Sequence, residues 1–124
     1  MYSPFEADFR GATERFVRAM FPRTADSALV AAIAGDMASA PPAVGVAAMR
    51  SMLAWDPTPA LAELRAPLYS INADRWPTNE AGNRALVPSY RVRYLRGLVL
   101  FVQLESPKAF NDALEAVVSV IAER

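Results

Sequence analysis

The chain has 124 residues, 53% hydrophobic and 21% charged, which is the composition of a folded domain with length enough for one core. Thirteen basic and thirteen acidic residues cancel, so no strong field exists to hold nucleic acid or an anionic membrane. Cysteine and histidine are both absent, which excludes disulfides, thiolate chemistry, the Ser-His-Asp triad and His-ligated metals, and Lys108 is the only lysine.

Ser3-Pro4-Phe5-Glu6 has the form of a helix start, with Ser3 as cap, Pro4 at the first helical position and Glu6 closing a capping box. Phe5, Phe9, Ala12, Phe16 and Met20 recur at three- and four-residue spacing and predict a helix over about 4–20, weakest at Gly11. Thr24 can cap a second helix over about 25–38, with Leu29, Ile33 and Met37 on its apolar side. After Pro41-Pro42 a third helix over about 42–54 carries Val46, Met49 and Leu53, and Pro57-Thr58-Pro59 leads into a short helix through Leu61 and Leu64.

The character then changes. Pro67 to Asn72 reads as a short buried strand, and Pro77-Thr78-Asn79 starts a helix to about Leu86. Over Tyr90 to Leu95 the alternation predicts a strand with Tyr90, Val92 and Tyr94 on one face and Arg91 and Arg93 on the other. Leu98 to Leu104 has high strand propensity and predicts a third strand, paired antiparallel through a turn at Arg96-Gly97. Ser106-Pro107 opens a last helix over 107–123, striped by Phe110, Leu114, Val117, Val118 and Ile121.

No apolar stretch reaches the roughly 18–20 residues of a membrane span. The N-terminus has no basic region followed by an apolar block, so no signal peptide is expected. Together with the lack of cysteine this points to the cytoplasm, although a trimmed or engineered chain would read the same way.

The second half resembles the C-terminal part of an α/β-hydrolase over about 60 residues. Three segments carry the resemblance: Ile71-Asn72-Ala73-Asp74 followed by Pro77-Thr78-Asn79; Leu95-Arg96-Gly97; and Leu104-Glu105-Ser106-Pro107 followed by Phe110-Asn111. The resemblance implies the family's last two sheet strands, the loops at their carboxyl ends and the final helix, with residues 1–64 as a helical cap. The expected fold is therefore α/β: one domain over 1–124, with a helical cap-like segment over 1–64 and a strand-helix-strand-helix unit over 65–124. The two strands would be parallel and joined by the helix 79–86.

The departures from the family pattern are chemical. No serine stands between two glycines, so the G-x-S-x-G nucleophile elbow is missing. The family's Gly-x-Gly-His-Phe loop corresponds to Gly97-Leu98-Val99-Leu100-Phe101, which puts Leu100 at the histidine position. The family acid position is Trp76; Asp74, two residues earlier, is either a displaced acid or a turn residue bonding nearby amides.

Other constellations have simpler readings beside the functional ones. Arg91, Arg93 and Arg96 could bind an anion or form a solvated edge. Glu6, Asp8 and Glu14 could be imagined as ligands, but Arg10 and Arg18 lie four residues beyond the two glutamates and favour surface ion pairs. The aromatic and Met positions of the first three helices could wall an apolar pocket or pack as core, and Trp55 and Trp76 sit beside proline turns as lids or surface anchors.

The function expected is that of a non-catalytic α/β-hydrolase-like fragment or an engineered derivative. It would be structural and self-associating, with a residual pocket for an apolar small molecule. The alternative is a serine ester hydrolase completed by a partner chain that supplies nucleophile and histidine. No cofactor or metal is expected, and no nucleic acid or membrane. A homodimer is expected through the strand Leu98, Leu100, Val102 and Leu104, because an unpaired apolar strand tends to pair with a copy of itself.

Overall fold

The computed structural model describes residues 3–123, with the Ser3 side chain outside what is described; the expected Ser3 cap falls there. The chain divides into two compact units between Trp55 and Asp56.

The first unit is helical: α1 (Ser3–Ala7), α2 (Phe9–Met20), α3 (Ser27–Ala38) and α4 (Pro42–Ala54). The single helix expected over 4–20 is broken at Asp8, not at Gly11. The Asp8 side chain takes the N-cap position of α2 and accepts from the Gly11 N–H at 2.9 Å. An aspartate competes well for a helix N-terminus because its carboxylate satisfies an amide the helix leaves unpaired. The cap of α3 is likewise Asp26, accepting from Ala28 and Leu29, rather than Thr24. α2 packs against α3, and α1 and α4 both lie on α2. Phe9, Ala12 and Val17 of α2 meet Val30, Ile33, Ala34 and Ala38 of α3 in the buried core. The Phe9 ring approaches α4 at Gly45, where an added Cβ would stand 2.1 Å from Phe9 Cζ, so only glycine admits that approach.

The second unit carries α5 (Thr58–Ala62), β1 (Tyr69–Ala73), α6 (Glu80–Leu86), β2 (Arg91–Leu95), α7 (Val102–Glu105) and α8 (Pro107–Ala122). α5 packs on α6. β1 and β2 are parallel, in register from Tyr69 opposite Arg91 to Ala73 opposite Leu95. A parallel pair needs a crossover, and α6 supplies it. α8 packs on both strands, and Tyr90, Val87, Val99, Val102 and Ala113 are the most deeply buried side chains of this unit. The fold is mixed helix and strand with two parallel strands, as a small α/β unit requires.

The third strand expected over Leu98–Leu104 does not form. Residues 98–101 are a loop and Val102–Glu105 is a helical turn. The reason is Glu105. Its carboxylate accepts from the amides of Val99 (2.9 Å), Leu100 (2.8 Å) and Phe101 (2.8 Å), which a strand would have offered to a neighbour. One side chain close in sequence outcompetes a ladder that needs a distant partner. The alternation needed for an apolar strand face is lost with it: Val102 is buried, Leu98 is half-buried, and Leu100 and Leu104 are exposed.

Among the described residues, no single helix is long and apolar enough to cross a membrane. α3 and α4 together have the length and composition but are bent by 97°, and the buried side chains of α3 face α2.

Candidate functional site

Because β1 and β2 are parallel, their carboxyl ends open at the same end of the sheet, where α/β folds place ligands. The loop after β1 runs Asp74-Arg75-Trp76-Pro77-Thr78 and the loop after β2 runs Arg96-Gly97. Asp74 ties them together, with Oδ1 accepting the Gly97 N–H at 2.9 Å. Gly97 has φ +77°, the left-handed region, so the tight exit from β2 that aims this amide at Asp74 requires a glycine. This bond spans twenty-three residues, so Asp74 ties the two loops together instead of closing a turn of its own.

Within the β1 exit, the Asn72 side-chain amide donates to Thr78 Oγ1 at 2.9 Å, and Asn79 caps α6 by accepting from the Gly82 N–H at 3.0 Å. The Asn79 side chain also occupies the space a Cβ at position 82 would need. Two shallow hollows flank this end. One of about 260 Å³ is lined by Ile71, Ala73, Trp76, Thr78, Val99 and Leu100. The other, about 290 Å³, is lined by Asp74, Trp76, Pro77, Tyr94 and Arg96. Trp76 belongs to both, half exposed, with the Arg75 guanidinium 5.7 Å from its ring centre. At this distance the pair is a cation–π contact that holds the indole against solvent.

The hydrolase-like positions therefore lie close together without forming a catalytic set. Leu100, at the histidine position, and Trp76, at the acid position, share the first hollow. The Leu100 amide is committed to Glu105. Nearby hydroxyls are also partnered: Thr78 Oγ1 accepts from Asn72, and the Tyr94 hydroxyl donates to Glu80 Oε1 at 2.7 Å, while Glu80 Oε2 pairs with Arg84 at 2.7 Å. Neither arrangement sets a nucleophile against a base.

The hydrogen bond that the Tyr94 hydroxyl donates to Glu80 pushes its pKa above the ordinary tyrosine value, because that bond holds the proton in place, and the carboxylate's charge adds to the effect. The raised folded value means that this contact contributes stability fully below the unfolded tyrosine pKa and loses it as pH rises through the folded one. In a spectrophotometric titration, Glu80→Gln should move the Tyr94 ionisation to lower pH. A titration that Glu80→Gln leaves unchanged would contradict the contact.

The remaining candidates separate. Arg91 and Arg93 are exposed on β2, and Arg91 Nη1 donates to the carbonyls of Pro88 and Tyr90, so that arginine bonds its own chain. Glu6, Asp8 and Glu14 do not converge: they pair with Arg50, Arg15 and Arg10. The expected partners Arg10 for Glu6 and Arg18 for Glu14 are thus replaced: the break at Asp8 separates Glu6 from Arg10, which pairs instead with Glu14 one turn on in α2. In the first unit Phe5, Phe9, Phe16, Met37, Met49 and Met52 line a cavity of about 350 Å³; Phe9 belongs to the buried core as well, while Phe16, Met37 and Met52 are exposed at its rim.

Two features of these sites escape the sequence pattern. Glu105 follows a strand-like run, yet an acid three or four residues inside a helix start is the same signal that marks a capping box. The Tyr94–Glu80 contact spans fourteen residues and has no local signature. Comparison of the chain with protein-family models, with curated proteins and with solved structures returned no match.

Proposed function

We propose that this chain is a non-catalytic, self-associating unit of α/β-hydrolase type, cytoplasmic in origin, which pairs with a second copy of itself through its sheet and α8. The observation that carries this reading is the distribution of apolar side chains on α8. Ala113 is buried and Ala116 and Val117 line a groove with Tyr69 and Val92, yet Leu114, Val118, Val120 and Ile121 remain exposed. A helix that is apolar on both its inner and outer sides is one that something covers. The sheet asks for the same, since among the described residues β1 and β2 have no other strand beside them and a two-stranded sheet is marginal alone. A two-fold pairing is the commonest way to cover one surface with itself. The pairing through Leu98–Leu104 is replaced by this one because Glu105 has taken the amides that strand would have used.

The non-catalytic part is supported by the chain's lack of histidine and cysteine and by the commitment of Asp74 to Gly97. Light scattering should give a mass near twice 13.5 kDa at high micromolar concentration, and Leu114→Lys with Val118→Lys should return it to 13.5 kDa without loss of helical signal. A chain that stays at the single mass defeats the self-association. Hydrolysis of p-nitrophenyl butyrate that survives repurification defeats the non-catalytic reading.

A further inference from the structure

We propose that the cavity of the first unit binds a neutral, mainly aliphatic molecule of about ten to fourteen carbons that carries one terminal hydroxyl; the size is scaled from the roughly 150 Å³ cavity that accepts benzene. The inference is independent of self-association and concerns α1 to α4 alone.

The cavity, about 350 Å³, is walled by Phe5, Phe9 and Phe16 on one side and Met37, Met49 and Met52 on another. Phe5 and Phe16 meet edge to face at 6.0 Å, a rigid aromatic corner, while methionines adapt to the contour of an apolar guest. Gly45 also lines it, and its missing Cβ is what lets the Phe9 ring form that wall. The volume lies at the small end of the range that ligand pockets occupy.

A second observation points to what enters. Thr13 lines this cavity and is 4% exposed, and its Oγ1 is buried with no hydrogen-bond partner among the described residues. A buried hydroxyl without a partner costs free energy, so it marks a place where a partner is supplied. Water is a poor candidate: a buried water needs two to four polar partners, and the lining offers this one side-chain group among apolar neighbours. A ligand with a single hydroxyl satisfies Thr13 and buries its carbon chain against the Phe and Met side chains. Among the described residues no charged side chain lines the cavity, so a carboxylate head would lose its hydration without compensation, and the guest is neutral.

The test is displacement of the fluorescent probe 1-aminoanthracene from the full chain by 1-decanol, by decanoate and by hexylbenzene. We expect 1-decanol and hexylbenzene to displace it and decanoate to do so at least tenfold less well. Thr13→Val keeps the shape and removes the hydroxyl; it should weaken 1-decanol about threefold to tenfold, as loss of one hydrogen bond implies, and leave hexylbenzene unchanged. Ala48→Phe and, at the exposed rim, Met52→Trp should each abolish binding of both with the helical circular dichroism retained. Met52→Trp keeps the test decisive if Ala48→Phe perturbs the fold. The proposal is overturned if 1-decanol does not displace the probe up to its solubility limit, or if decanoate binds as tightly. It also fails if Thr13→Val leaves 1-decanol binding intact. Binding that ignores Met52→Trp would place the probe on exposed apolar surface elsewhere and overturn it too.

Discussion

Glu105→Ala should destabilise the second unit by about 3 kcal/mol, since hydrogen bonds to a charged acceptor contribute about 1.5–3 kcal/mol each and three amides lose theirs at once. Only the part-buried Val99 and Phe101 amides count, each at the low end of that range, because the Leu100 amide is exposed and regains water. For a chain of this size the melting temperature should fall by about 10–15 °C. Glu105→Gln is the informative control. Oε1 accepts from Leu100 and Phe101 while Oε2 accepts from Val99, so an amide oxygen can keep the first two bonds and must lose the third. Its loss should be about half that of the alanine variant. Hydrogen exchange checks the cause: the amides of 99–101 should lose protection in Glu105→Ala before the strands do. An alanine variant as stable as the parent would mean that the loop is held by its packing alone.

Tyr90→Ala should cost about 3–5 kcal/mol, the range for removing a buried aromatic ring, because the site cannot easily collapse. Tyr90 is 1% exposed, and its backbone N–H is bonded to the Val87 carbonyl at 2.8 Å, so the ring is fixed from both ends of the turn that enters β2. Tyr90→Phe separates the ring from its hydroxyl. The hydroxyl donates to Ser70 Oγ at 3.2 Å, a long contact, and its loss should cost about 1 kcal/mol or less. Denaturant melts of the two variants give the comparison directly. A phenylalanine variant as damaged as the alanine one would shift the weight from packing to the Tyr90–Ser70 bond.

The hydroxyl and carboxylate groups near the strand ends are held by one another and by backbone amides. Asp74 accepts from the Gly97 amide, Glu80 from the Tyr94 hydroxyl of β2, and Glu105 from the amides of the loop before α7. A fold that uses its acids this way gains well-defined loops.

Much of the architecture was legible in the order of residues. The third helix over 42–54 and the last helix from Pro107 follow from apolar spacing with proline at the first position, and the two short strands follow from their alternation and the turns around them. Their parallel pairing follows from the helix between them, since a chain cannot return to the same end of a sheet without a crossover. Composition also set chemical bounds, because side chains that are absent cannot act. The break at Asp8 and the fate of 98–104 were not legible from propensity. Valine, leucine and phenylalanine favour a strand on average, but a strand also needs a neighbour to accept its amides, and one carboxylate at Glu105 was nearer. The role of Asp74 waited on Gly97, which is twenty-three residues away and reaches it only when the two strands lie side by side. The apolar cavity and the orphan Thr13 hydroxyl required three dimensions for the same reason. Periodicity says which side of a helix is apolar, and only the placement of α1, α2, α3 and α4 around Gly45 decides whether those sides meet as solid core or leave a space between them.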